Sequence, residues 1–170
     1  LLISIGCYCG LRIGDILNLK WADILDRADL DLTESKTGKP RQITLNESLQ
    51  EFIRLCYSQT DSNKVVKADG LVFANRWGKQ LSRQYVNRKL HNILFRYGVR
   101  LSNSSSHCLR KTFGKRVYEM NNKSEAALII LSQIFNHSSI STTRRYIGIS
   151  AEQITNVYII TAVIIIHSGS

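Results

Sequence analysis

The sequence predicts a mainly α-helical fold with one small antiparallel β-sheet, and three observations lead there. Apolar residues recur at helical spacing through most of the chain, Pro40 is the only proline among 170 residues, and the one stretch that reads as strands, 21–45, is broken by a turn. Proline fixes φ and removes a backbone donor, so its scarcity leaves long segments free to be helical. A chain of this length with 44% hydrophobic residues suits one folded domain and lacks the composition of disordered or collagen-like sequences.

Leu1 to Cys9 reads as an apolar helix end closed by Gly10. LLISIGCYCG has no initiator Met and resembles the middle of a helix, so the chain is expected to be a fragment of a longer protein; it also lacks the basic start of a signal peptide. RIGDILNLK restarts a helix with Ile13, Ile16, Leu17 and Leu19 on one side. From Trp21 to Leu45 short strands are predicted. ADILDRADLDLTE and RQITL flank ESKTGKP, where Thr37, Gly38 and Pro40 supply turn chemistry and place Lys36 at or near a hairpin tip.

ESLQEFIRLCYS has apolar residues at 49, 52, 53 and 56, a helical repeat. DSNKVVKADG reads as a loop and LVFANRWGKQL as an extended piece followed by a turn. Ser82 is expected to cap a helix through RQYVNRKLHNILFRYG, with an apolar stripe at 86, 90, 93 and 94. After the loop SNSSS, helices are predicted over HCLRKTFGKRVYEM and SEAALIILSQIFN, the second capped by Ser124, and Ser141 is expected to cap a short helix bearing Tyr146. No internal repeat or linker is visible, so 1–150 is read as one domain and 151–170 as a C-terminal extension.

The formal net charge is +10, from 23 basic and 13 acidic residues, and residues 61–150 hold 16 of the basic against 4 of the acidic. Such an excess, spaced through amphipathic helices, suits a surface that follows a phosphate backbone, although a well-solvated helical face has the same pattern. Cysteines 7, 9, 56 and 108 form no CxxC pair, which argues against a zinc site or disulfide framework and for buried thiols in a reducing cytoplasm. The apolar run 157–166 falls short of the ~20 residues that span a bilayer, so no membrane segment is predicted. The P-loop pattern GxxxxGK[ST] is absent and no ATPase is implied. Asp23, Asp26, Asp29, Asp31 and Glu34 raise the alternative of a magnesium nuclease; alternating Asp29 and Asp31 read better as the solvent face of a strand, and neither metal nor cofactor is expected.

Several residues invite chemistry. His107 and Arg110, three apart on a predicted helix, share a face and can address one oxyanion. Arg12 stands at a helix start with Asp15 three residues on, a spacing that lets a carboxylate brace a guanidinium. His137 lies at a helix end, and Tyr146 follows between basic and small residues. Taken singly, each has an ordinary structural reading: a packing tyrosine, a turn lysine, a surface histidine, a salt-bridged arginine.

Their order is more specific. GLRIGDILNLKWADI, ESKTGKPRQITL, SSHCLRKTFGKRV and LSQIFNHSSISTTRRYIGIS closely resemble the signature boxes of the tyrosine recombinase (phage integrase) family, spread over residues 6–150. The resemblance implies that family's catalytic-domain fold, with Arg12 as first catalytic arginine, Lys36 as hairpin lysine, His107 and Arg110 as the H-x-x-R pair, His137 at the late histidine position and Tyr146 as nucleophile. Asp15 takes the acidic position supporting the first arginine. The implied activity is site-specific recombination or integration, as for a bacterial mobile element, through a 3′-phosphotyrosine and without metal, ATP or other cofactor. A type IB topoisomerase and a catalytically silent DNA-binding module on the same scaffold are the alternatives.

The resemblance further implies double-stranded DNA as partner, and the basic residues Arg83, Arg88, Lys89, Lys111, Arg144 and Arg145 of the predicted helices are the expected DNA contacts. It implies a homo-oligomer, a tetramer on synapsed DNA and a monomer off it, and a preceding DNA-binding domain that this chain lacks. For residues 151–170 it implies docking on a neighbouring protomer; packing within the same chain and strand pairing with another chain are the rivals. A cytoplasmic location is expected.

Overall fold

The computed structural model describes residues 1–60, 68–99 and 105–149. The C-terminal extension 151–170 and most of the predicted loops DSNKVVKADG and SNSSS lie outside the described residues. The expected class holds: helices dominate, and the one sheet among the described residues is two-stranded and antiparallel. The chain forms two compact units, Leu1–Val86 and Asn87–Ser170.

The first unit opens with α1 (Leu2–Cys9), which ends at Gly10 in the left-handed conformation, φ 60°, as its sequence position suggested. α2 (Ile13–Asn18) follows, with Leu19 buried just past its end. Trp21–Ile24, expected to be extended, is instead a helical turn, α3. The Lys20 amide donates to the Asp23 carboxylate at 2.8 Å, and Trp21 and Ile24, three apart, are both buried; that local cap and paired burial decide for helix.

β1 (Asp29–Thr33) and β2 (Pro40–Thr44) form the hairpin in the register Leu30↔Ile43 and Leu32↔Arg41. Leu30 faces the core while Asp31 and its partner Gln42 face solvent. α4 (Glu47–Ser58) begins at Asn46, whose side chain accepts from the Leu49 amide. It adds Leu49 and Ile53 to a core with Ile5, Leu11, Ile16, Trp21 and Ile24. The segment after it contributes an isolated bridge, Leu71 to Lys20, and a turn between Ala74 and Gln80, in keeping with the extended piece and turn expected there.

α5 (Arg83–Arg96) spans the boundary between the units and is capped by Ser82, whose hydroxyl accepts from the Tyr85 amide. Val86, Leu90 and Leu94 are buried along it, whereas Ile93, placed in the same stripe from sequence, is 41% exposed.

The second unit packs α6 (His107–Met120), α7 (Glu125–Phe135) and α8 (Ile140–Ile147) around Leu128, Leu131, Phe135 and Ile147. Ser124 caps α7 as expected. The cap of α8 is Ser139, which accepts from the Thr142 amide at 3.1 Å, and not Ser141, which lies inside the helix and is exposed. Gly114 of α6 sits where a Cβ would stand 2.7 Å from Ile147 Cγ2 and 2.8 Å from the Phe135 ring, so the absence of a side chain permits the three-helix contact.

Candidate active site

In the first unit the site is assembled at the junction of α2 and the hairpin. Arg12, in extended conformation at the N-cap of α2, donates from Nη1 to Glu34 Oε2 at 2.6 Å. The Thr37 hydroxyl donates to the same oxygen at 2.9 Å, and Arg41 Nη1 stands 3.5 Å from Oε1. Glu34 is 4% exposed, and a carboxylate so deeply buried requires opposite charge and donors around it. Arg41 is fixed further by donating to the Cys9 carbonyl at 2.8 Å. Burial pulls the Arg41 guanidinium below its usual pKa, with Glu34 opposing the shift. Burial likewise pushes the Cys9 thiol up to about 11.

The turn between the strands is closed by the Glu34 carbonyl, which accepts from the Thr37 and Gly38 amides. Lys36 lies at its tip and is exposed, where the sequence placed it. Asp15, expected to brace Arg12, is deployed differently. Its Oδ1 accepts the Ser35 amide at 2.9 Å, tying α2 to the lysine turn, while the carboxylate at hydrogen-bond distance from Arg12 is Glu34. Spacing along α2 made Asp15 the natural candidate; Glu34 reaches Arg12 only through the hairpin, twenty-two residues on.

In the second unit the centre is Phe135, the last residue of α7, 1% exposed. Arg110, on the buried face of α6, places Cζ 4.5 Å over that ring and donates from Nη2 to the Ile134 carbonyl at 3.4 Å. The His137 ring lies 5.4 Å from Phe135 and the Tyr146 ring 5.2 Å from it, and His137 and Tyr146 are 5.1 Å apart, edge to face. Local sequence explains the placement. Asn136 turns left-handed at φ 53° after α7, and Ser139 starts α8 two residues beyond His137. Thr143 and Ile147 are buried along α8, which leaves Tyr146 half-buried beside the imidazole. Thr143 Oγ1 lies 3.0 Å from His137 Nδ1.

His107, the first residue of α6, is exposed one turn before Arg110. The second unit thus gathers Arg110, His137 and Tyr146 around one aromatic ring, and the first unit gathers Arg12 and the Lys36 turn around one carboxylate. Glu34, Phe135 and Thr143 were missed from sequence as parts of the site. Glu34 stood out only within an acidic run, and a helix-end phenylalanine carries no chemical signal; Thr143, three residues before the tyrosine, was the legible one.

Of the expected DNA-contact residues, Arg83, Arg88, Lys89, Lys111, Arg144 and Arg145 are all exposed. Lys111 Nζ lies 5.6 Å from the Tyr146 ring centroid, and Arg144 is 3.9 Å from Glu125. Among the described residues no three His, Cys, Asp or Glu side chains group as metal ligands would, and no helix is long and apolar enough to cross a membrane.

Comparison with known proteins adds a family. The phage integrase family profile matches residues 1–153. The probable integrase/recombinase YoeC of Bacillus subtilis (strain 168) is 38% identical over 152 residues, which cover 89% of this chain and 77% of that protein. Tyrosine recombinase XerH of Campylobacter jejuni is 30% identical over 148 residues, covering 86% of this chain but 40% of XerH, so this chain spans less than half of that relative's length.

Among solved structures, XerH site-specific recombinase bound to a palindromic difH substrate in a post-cleavage complex superposes with a TM-score of 0.67 at 25% identity, over 90% of this chain and 42% of that one. The catalytic domain of bacteriophage HP1 integrase, at 19% identity, shares the fold, with a TM-score of 0.56 over 90% of this chain and 76% of that one.

Proposed function

Since the chain belongs to the phage integrase family, we propose that it carries the strand-cleaving part of a site-specific recombinase acting on double-stranded DNA in the cytoplasm, with Tyr146 as nucleophile. The observation that carries this reading is the packing of Tyr146 against His137, with Arg110 over the Phe135 ring that both of them touch.

The chemistry asks for the residue types present. Attack of the Tyr146 oxygen on a phosphodiester builds negative charge on the non-bridging oxygens, and Arg12 and Arg110 offer planar, paired donors for it. Lys36, exposed at the turn, protonates the departing 5′ oxygen. His107 accepts the tyrosine proton, which a phenol with a free pKa of about 10 does not surrender unaided, and His137 donates a hydrogen bond to the phosphate. The product is a 3′-phosphotyrosine that keeps the energy of the broken bond, so attack by a 5′-hydroxyl of another strand rejoins DNA without ATP or metal. Arg83, Arg88, Lys89, Lys111, Arg144 and Arg145 take flanking phosphates, and the assembly on synapsed DNA is a tetramer. The similarity to the recombinase XerH and the probable integrase/recombinase YoeC, and the DNA bound in the XerH complex, support this reading.

The test is to incubate the full-length protein with nicked duplexes prepared from fragmented host DNA and to look for a protein–DNA adduct that survives denaturation. Wild type is expected to form it and Tyr146→Phe to form none while still binding DNA. An adduct that persists in Tyr146→Phe overturns the nucleophile; binding without any adduct in wild type points to a silent DNA-binding module.

A further inference from the structure

We propose that Glu34 is a positioning residue for strand cleavage: it ties the Arg12 guanidinium to the turn that carries Lys36, so that the two cations are presented together. The inference rests on the recombinase reading above and adds to it a residue that acts through Arg12 and Lys36 without touching DNA.

Glu34 joins the two elements with both its backbone and its side chain. Its carbonyl accepts the Thr37 and Gly38 amides, and its own amide donates to the Lys39 carbonyl, which closes the turn around Lys36. Its carboxylate leaves the hairpin altogether and meets Arg12 at the start of α2 at 2.6 Å. Thr37, inside the turn, donates to the same oxygen, so one Oε2 holds a group from each element. The Ser35 amide on Asp15 forms a second tie between the same two elements, one residue before Lys36.

Charge sharpens the argument. Arg41 faces the other carboxylate oxygen at 3.5 Å and is pinned by the Cys9 carbonyl, so two guanidiniums share one buried carboxylate. With that carboxylate neutralised, Arg41 stays anchored and repels Arg12, whose side chain then leaves the turn. A misplaced donor in a phosphoryl-transfer site costs rate more than it costs binding, since the rest of the duplex contact is untouched.

The experiment is adduct formation by the full-length protein on nicked duplexes from fragmented host DNA, read beside DNA affinity at one salt concentration. Glu34→Gln keeps an oxygen for Thr37 and removes the charge. Adduct formation is expected to slow by about tenfold to a hundredfold, while affinity holds or tightens because a negative charge has gone from beside a phosphate site. Thr37→Val, which removes one donor, slows the step less.

A Glu34→Gln protein that cleaves at the wild-type rate overturns the proposal, and so does one that loses binding and cleavage in proportion, the mark of a purely structural role. If Glu34→Gln fails to fold by circular dichroism, Thr37→Val decides: a rate equal to wild type overturns the proposal. Absence of any adduct in wild type overturns the recombinase reading and this inference together, whereas a wild-type adduct matched by Glu34→Gln removes this inference alone.

Discussion

Nδ1 of His137 stands 3.0 Å from Oγ1 of Thr143, a residue with no exposed surface. The hydroxyl holds the ring in either tautomer: it donates to Nδ1, or it accepts from Nδ1–H while donating to the Ser139 carbonyl at 3.5 Å. A neutral His137 that accepts at Nδ1 carries its own proton on Nε2, and that nitrogen is then the donor toward a phosphate. Thr143→Val keeps the shape and removes the tie. It is expected to slow adduct formation about tenfold at unchanged DNA affinity, with Thr143→Ser restoring the rate. Equal rates for wild type and Thr143→Val would show that the imidazole needs no such hold.

Gly114→Ala tests the packing behind the same residues. Alanine is the better helix former by roughly 0.5–1 kcal/mol, which alone favours the substitution. Against it, the new Cβ meets Ile147 and Phe135 at 2.7–2.8 Å, and both are buried side chains. Overpacking of this kind costs about 1–3 kcal/mol, so the net effect is expected to be a loss of stability, read as a lower urea midpoint at unchanged slope. Since Ile147 neighbours Tyr146 on α8, cleavage should fall with it. A variant as stable as wild type would show that α8 shifts freely on α6.

What was legible in the sequence, and what was not, follows from the range of the interactions. Helix periodicity, the caps Ser82 and Ser124, and the hairpin turn are local, and the turn residues around Lys36 mark its place without tertiary knowledge. Trp21–Ile24 was misread because it was taken together with the strand-like run ADILDRADLDLTE, and a four-residue helix held by the Lys20–Asp23 cap has too few residues for periodicity to decide. Ser139 lost to Ser141 because three serines, 138, 139 and 141, stand near the start of α8 and only backbone geometry selects between them. Glu34 was read only as one of an acidic run because its partner Arg12 comes from another element, and Asp15 occupied the position that helix spacing recommends. The residues that meet the phosphate in the proposed reaction were therefore marked by the resemblance of the signature boxes, while those that hold them are set by tertiary contacts that neither the boxes nor local rules display.

The buried thiol of Cys9 makes stability depend on alkaline pH. Burial raises its pKa to about 11 from the usual 9.0. Folding therefore favours the protonated form: the contribution is complete below pH 9, where folded and unfolded chains both hold the proton, and is lost as pH climbs toward 11 and only the unfolded chain releases it. Two pH units correspond to about 2–3 kcal/mol at most. The urea midpoint is expected to fall between pH 9 and 11, and the fall should be shallower in Cys9→Ala measured against its own neutral-pH midpoint. Parallel curves for the two proteins would mean that other groups carry the whole dependence.

The basic excess can be divided by salt. Each cation that neutralises a backbone phosphate releases counterions, and its removal lowers the slope of log affinity against log salt by about 1. Arg88 and Lys89 are exposed neighbours on α5 and are assigned to flanking phosphates, so replacing either with Ala is expected to flatten the slope by about that amount and to leave cleavage of saturated DNA unchanged. Arg110 is 4% exposed against Phe135, within the cluster that holds His137 and Tyr146. Its replacement by Lys, which keeps the charge and loses the planar fork, should spare the salt slope and cut cleavage by about a hundredfold or more. The opposite pattern, with Arg110→Lys cleaving normally and Arg88→Ala or Lys89→Ala failing to cleave at saturation, would place the chemistry on α5.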